Sequence, residues 1–165
     1  METPICEVCL KSEILCNACQ EKFNNGELNE IELEVLRFLY KLSENMKSLK
    51  NVNVIKVIDT GVLLIITGRG DAARIVGRKG SIVKILAKRF KKNIRVLEEA
   101  TSFRKFIQDL ISPVSLNGIN LLYTGNKKIY RIRIPNKSHL LFPPESFSEI
   151  VENLFDCKAE IVFEG

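Results

Sequence analysis

The stretch Arg74–Ile85, RIVGRKGSIVKI, constrains the fold of this chain more than any other. Branched apolar residues at helical spacing stand on both sides of it, yet Gly77 and Gly80 sit in its middle with only Arg78 and Lys79 between them. Glycine in a helix interior is about 1 kcal/mol worse than alanine, so the pair predicts that one helix stops here and another starts at Ser81. A helix starting there turns its first N–H groups into the break, and two cations beside them make an anion site. The glycines leave that site open to close approach by a ligand.

The neighbouring residues frame this loop. Ile31, Val35, Phe38, Leu39 and Leu42 recur at helical spacing and predict a helix over about 27–47. Asn29 and Glu32 have capping-box spacing, which favours a slightly later start. Residues 52–59 (VNVIKVID) and 62–67 (VLLIIT) read as strands joined by a tight turn at Thr60 and Gly61. Helix resumes near Asp71, breaks at GRKG and runs again from Ser81 to about Phe90, after which residues 94–99 (IRVLEE) read as a strand.

The remaining residues repeat that order. A helix is expected over about 102–111, strands near 116–123 and 128–134, a helix from Ser146 to Phe155, and a last strand over 159–164. An ungapped offset of 65 lays SIVKILAKRF on SFSEIVENLF, pairing Ser81 with Ser146, Ile85 with Ile150, Leu86 with Val151 and Phe90 with Phe155. The matching order of elements supports an internal duplication over the chance likeness of two amphipathic helices.

Charge separates the two halves. Gly68 to Arg95 carries ten cations against the single acid Asp71, a net +9 in a chain of +5. Such concentration suggests a polyanion-binding face, with a solvated basic helix as the bland alternative. In the second half, residues 136–165 hold six acids and two lysines, and FPPE (142–145) stands where the first half has GRKG. Proline removes donors and Glu145 would repel phosphate at a helix start. Arg131 and Arg133 share one face of a predicted strand, as a further contact for the polyanion or as solvated charge.

Cys6, Cys9, Cys16 and Cys19 follow a C-x2-C-x6-C-x2-C pattern. Two such knuckles can turn four thiolates toward one point, which suits tetrahedral zinc; an iron–sulfur centre uses the same ligands. Leu10 and Gln20 follow the second cysteine of each knuckle, where many zinc knuckles have glycine. Zinc closed by four thiolates has no position for water and is structural. Cys157 reads as a small apolar residue.

With the loop, its flanks and the duplication in view, IVGRKGSIVKIL resembles the KH-domain motif. The matching residues are Ile75, Val76, Gly77, Gly80, Val83, Lys84 and Leu86. The element order resembles the type II KH topology, and the tandem arrangement is similar to the KH pair of the NusA transcription factors, particularly the archaeal ones. The resemblance covers roughly residues 27–165 and is strongest over 62–98. It implies an α+β fold: a four-cysteine zinc finger over 1–24, a KH domain with the GRKG loop over 25–100, and a degenerate KH-like domain over 101–165. Each KH-like unit would run α-β-β-α-(α)-β. It implies single-stranded RNA as partner, with Gly77 and Gly80 giving backbone access, and Arg78 and Lys79 meeting phosphate at the helix start at Ser81. Ile75, Val76 and Val83 would floor the base groove, or else be plain core. Lys84 and Lys88 would flank the path, or else be solvated. The S1 domain and polymerase-binding region of bacterial NusA are missing, so its transcriptional role does not carry over directly.

Other classes fare worse. Gly68-x-Gly70-x-x-Ala73 matches a dinucleotide-binding fingerprint, but that fold needs a parallel sheet built by crossovers, and a hairpin precedes it here. His139 is the sole histidine and no nucleophile–base pair is visible, so neither an enzyme nor a small-molecule substrate is expected. No apolar run exceeds Val62–Ile66 and METPICEVC lacks a signal-peptide pattern, so a cytoplasmic protein without a membrane partner is expected. The main alternative is an adaptor that docks on RNA polymerase or ribosome through the finger and the acidic second unit.

Overall fold

The computed structural model describes residues 1–165. Its chain divides into two compact units, Met1–Asp59 with Leu63–Glu99, and Thr60–Val62 with Ala100–Gly165.

The first unit opens with two short helices, α1 (Glu7–Lys11) and α2 (Asn17–Asn24), each started by a cysteine. Helix α3 (Glu30–Ser43) begins later than the bare periodicity suggests, because Asn29 caps it by accepting the Glu32 N–H at 2.8 Å. Strands β1 (Val54–Asp59) and β2 (Val62–Thr67) pair antiparallel, with Asp59 opposite Leu63 across the turn. Helix α4 (Ala72–Val76), the loop at 77–80, helix α5 (Ser81–Phe90) and strand β3 (Asn93–Glu98) follow, and β3 lies beside β2. Glu32, buried in α3, accepts the Val57 N–H at 2.8 Å and faces Lys56 Nζ at 3.1 Å, tying helix to strand.

One hydrophobic core runs through this unit. It joins Leu36 and Leu39 of α3, Val57 of β1, Leu63 and Ile65 of β2, Ile75 of α4 and Leu86 of α5 with Cys9, Leu10 and Cys19. The segment 1–24 expected as a finger thus shares the core of the helix–strand unit. Arg37 of α3 reinforces the join by donating from Nε to the Cys9 carbonyl at 3.0 Å, and Lys22 Nζ donates to the Pro4 carbonyl at 2.9 Å.

The second unit repeats the plan with α6 (Phe103–Ile111), β4 (Gly118–Thr124), β5 (Lys127–Pro135), α7 (Pro144–Phe155) and β6 (Lys158–Glu164). Strands β4 and β5 pair antiparallel, and β5 and β6 pair parallel. Parallel neighbours need a crossover, which α7 provides. The offset of 65 reaches past sequence: β5 starts 65 residues after β2, and β6 starts 65 after β3. Lys91 and Asp156, at the same offset, both end their helices in the left-handed conformation, with φ of 55° and 52°. This is an α+β chain in which a four-cysteine module leads into two helix–strand units of one topology, as two type II KH-like units require.

Candidate metal centre and nucleic-acid interface

The sulfurs of Cys6, Cys9, Cys16 and Cys19 lie within 4.8 Å of one another. Cys6 Sγ is 3.4 Å from Cys9 Sγ and 3.9 Å from those of Cys16 and Cys19. Zinc–thiolate bonds of about 2.3 Å in a tetrahedron put sulfurs about 3.8 Å apart, so the cluster has the right size for one tetrahedral ion. Backbone donors support it: the Cys16 N–H reaches Cys9 Sγ at 3.1 Å and the Cys19 N–H reaches Cys16 Sγ at 3.5 Å. The latter bond, with the neighbouring thiols, brings the Cys16 thiol down to about 7. The Cys9 thiol is pushed up to about 12, the Cys16 N–H being outweighed by burial and by its three sulfur neighbours. Four thiols this close cannot all ionise without a cation among them, and a divalent ion supplies that charge. The four sulfurs are placed so that together they could hold one metal ion.

The GRKG loop is built from left-handed backbone. Gly77 has φ 78° and ψ 172°, Lys79 φ 54° and ψ 29°, and Gly80 φ 73° and ψ 21°. Gly77 is required on two counts. Its conformation is one L-residues avoid, and a Cβ there would stand 2.8 Å from Ile82 Cγ1 and from Ser81 Oγ. Gly80 precedes α5 without a side-chain cap, and Arg78 and Lys79 project exposed between the glycines.

An open groove of about 430 Å³ runs beside the loop, lined by Gly77, Arg78, Ser81, Ile82, Ala73, Arg74, Met46 and Ser48. Of the residues predicted from sequence, Gly77, Arg78 and Ser81 meet there. Lys79, Lys84 and Lys88 are exposed outside it, and Val76 and Val83 are half-buried and line no part of it. Ile75 is fully buried in the core and offers no floor for a base. Met46 and Ser48 come from the α3–β1 connection, some 30 residues before the loop, and nothing local in the sequence marks them. Arg74 belongs to the basic segment of ten cations and stands 3.8 Å from Asp71, whose other oxygen accepts the Asn53 N–H at 3.0 Å. The dinucleotide alternative fails on topology, since β1 and β2 form an antiparallel hairpin and the Gly70 N–H is bonded to Glu98 at 3.0 Å.

At the matching place in the second unit, Phe142 replaces Gly77 and is buried against Phe147, ring centroids 5.9 Å apart. Pro143 and Pro144 lead into α7, and Glu145 occupies its first turn. Arg131 and Arg133 are engaged on the open sheet face, with Glu160 at 2.6 Å and Glu164 at 3.3 Å.

Fold and site together define a class: an α+β protein with a four-cysteine metal-binding module, two helix–strand repeats and a basic glycine loop in the first. No family model matches the chain. Over 72 residues, 44% of its length, it is 28% identical to the probable transcription termination protein NusA of Methanocaldococcus jannaschii. The match spans 39% of that relative. The crystal structure of APE1850 superposes with a TM-score of 0.63 over 83% of this chain and 100% of that one, at 19% identity, a likeness of fold. No helix is long and apolar enough to cross a membrane.

Proposed function

We propose that this chain is a single-stranded RNA-binding protein of the NusA type, not an enzyme, whose first helix–strand unit holds RNA at the GRKG loop. The backbone of that loop carries the reading. Three of its four residues adopt positive φ, one of them a lysine, and together they set two exposed cations at the start of α5. Strain of this kind collects where a ligand is gripped. A strand laid there would place phosphate over Gly77 and Gly80, with Arg78 and Lys79 neutralising it and Lys84 and Lys88 continuing the positive track along α5. The local likeness to a probable transcription termination protein suggests RNA emerging from, or held near, RNA polymerase as the setting. The four cysteines, holding zinc, would brace α3 behind the loop.

The test replaces Arg78 and Lys79 by Asp while leaving both glycines in place. Solvent-facing changes of this kind shift stability by only about ±0.5 kcal/mol. Titration with labelled single-stranded oligoribonucleotides should show at least a tenfold loss of affinity at unchanged circular dichroism. Unaltered affinity would leave GRKG a mere turn and bring forward the adaptor docked on polymerase or ribosome.

A further inference from the structure

The duplicated aromatic pair differs between the units in a way the glycine loop does not explain. In the first unit Phe38 and Phe90 meet edge to face at 5.7 Å, and the Arg89 guanidinium lies over both rings, 5.8 and 5.0 Å from their centroids. Phe90 is left 9% exposed. Sixty-five residues later Phe103 and Phe155 meet at 5.1 Å, with an interplanar angle of 84° against 85° in the first pair. Here Leu154 stands in the place of Arg89, no cation covers the rings, and Phe155 is 40% exposed. Tyr130 adds a third ring, 4.3 Å from Phe103 and tilted by 31°. The three rings line an open cleft of about 690 Å³ that Lys127, Lys128 and Lys158 also line.

We propose that this cleft is a second RNA contact, taking an unpaired base against its aromatic wall and the adjoining phosphates on its lysines. The proposal rests on the RNA-binding reading above, and it places the contact in the unit that lacks the glycine loop. Stacking on an aromatic face tolerates any base, and a cation beside it holds the backbone. In the first unit a guanidinium occupies the face that a base would use here. All three lysines are exposed, two of them at the β4–β5 hairpin and one at the start of β6. Glu152 and Asp156 line the same cleft at the end of α7. They keep phosphate away from that end and leave the N–H groups of a base edge as what they can accept. The backbone therefore runs on the lysine side.

The full chain, irradiated with a 4-thiouridine-containing oligouridylate of about twelve nucleotides, tests this by mass-spectrometric mapping of the adducts. Adducts on the peptides carrying Tyr130 or Phe155 are expected, and they should persist when Arg78 and Lys79 are replaced by Asp. In that background Lys127→Glu with Lys128→Glu should weaken binding about tenfold further, the loss that one stacked nucleotide with its phosphate on a lysine represents. Those lysines are exposed, so the variant keeps its fold where Phe155→Ala risks the packing of Phe106. Adducts confined to residues near Gly77–Ser81, or abolished everywhere by the loop variant, overturn the second contact and leave the first standing. No binding and no adduct anywhere overturns both. An acidic peptide that binds the cleft and is unaffected by saturating oligonucleotide also overturns it, as a protein-docking cleft.

Discussion

Residues 77–80 and 142–145 occupy one place in two copies of one fold, and they have been driven in opposite directions. In the first copy the chain needs the smallest residue there, because Ile82 and Ser81 crowd Gly77 and its backbone is left-handed. In the second it needs one of the largest, because Phe142 fills the core against Phe147, the counterpart of Ile82. Once that position is a buried aromatic, the loop cannot bring backbone against a ligand. The neighbouring prolines and Glu145 are then free of any anion to hold. An open, glycine-built loop and a core plug are alternative uses of the same four residues. The difference turns on whether the first of them carries a side chain.

The largest break in that comparison should come from metal removal. Structural thiolate–zinc sites contribute ~10–16 kcal/mol of coupled binding and folding. Only the first unit has such a cluster, and Cys9 and Cys19 belong to its core. Purified protein should contain a single zinc ion, and chelation should raise amide exchange across residues 1–59 and 63–99 while residues 100–165 stay protected. Exchange confined to the first 24 residues would mean that the cysteine module folds apart from its neighbours.

Next come paired substitutions at the compared position. Phe142→Ala should cost the second unit ~3–5 kcal/mol, as for other buried phenylalanines. Gly77→Ala should cost the first ~1–3 kcal/mol through strained backbone and the contact with Ile82. Urea unfolding with unit-resolved probes measures both, and equal sensitivity to Ala at the two sites would erase the contrast.

The electrostatic half of the contrast shows in salt. With about four phosphates neutralised, log affinity for a short strand should fall with log salt at a slope of roughly −3. Replacing Arg78 and Lys79 by Asp should reduce that slope by about 1.4, at 0.7 per phosphate. Replacing Pro143 and Pro144 by Asp should leave the slope and the affinity nearly as they were. A flat response in the parent protein would make the +9 segment ordinary solvated surface.

The smallest effect concerns pH. Burial raises the Glu32 carboxyl above its ordinary value, against the opposing pull of the Val57 N–H and Lys56. A carboxyl with a raised folded pKa favours the fold while protonated. Its contribution is therefore present below the ordinary carboxylate value and lost as pH rises through the raised one. Glu32→Gln should flatten this fall in the first unit. The second unit buries no carboxylate and should show no such fall. Unfolding midpoints followed from about pH 4 to about pH 7, where carboxylates finish titrating, give the comparison.

Much of this architecture is legible in the sequence. Period-3.6 and period-2 patterns placed every major helix and strand within a few residues, because each element buries one face or runs apolar through the core. The structure extends the offset of 65 to the left-handed helix ends at Lys91 and Asp156, although neither residue resembles the other. The cysteine spacing anticipated the cluster, since two knuckles can close on one point only. Less legible were α1 and α2, each a few residues long and held by the core of α3 more than by a pattern of their own.

Local covalent geometry and side-chain chemistry act over a few residues, and what they govern the sequence determined alone: where helices break, which segment is basic, where four thiols can gather. Tertiary packing decided the rest. It made Ile75 core and not groove, brought Met46 and Ser48 to the loop from the far end of α3, and joined the cysteine module to the first unit's interior. It also left Phe155 open where Phe90 packs into the core with Arg89 over its ring. Such outcomes depend on which surfaces meet across long stretches of chain, and no local pattern records that.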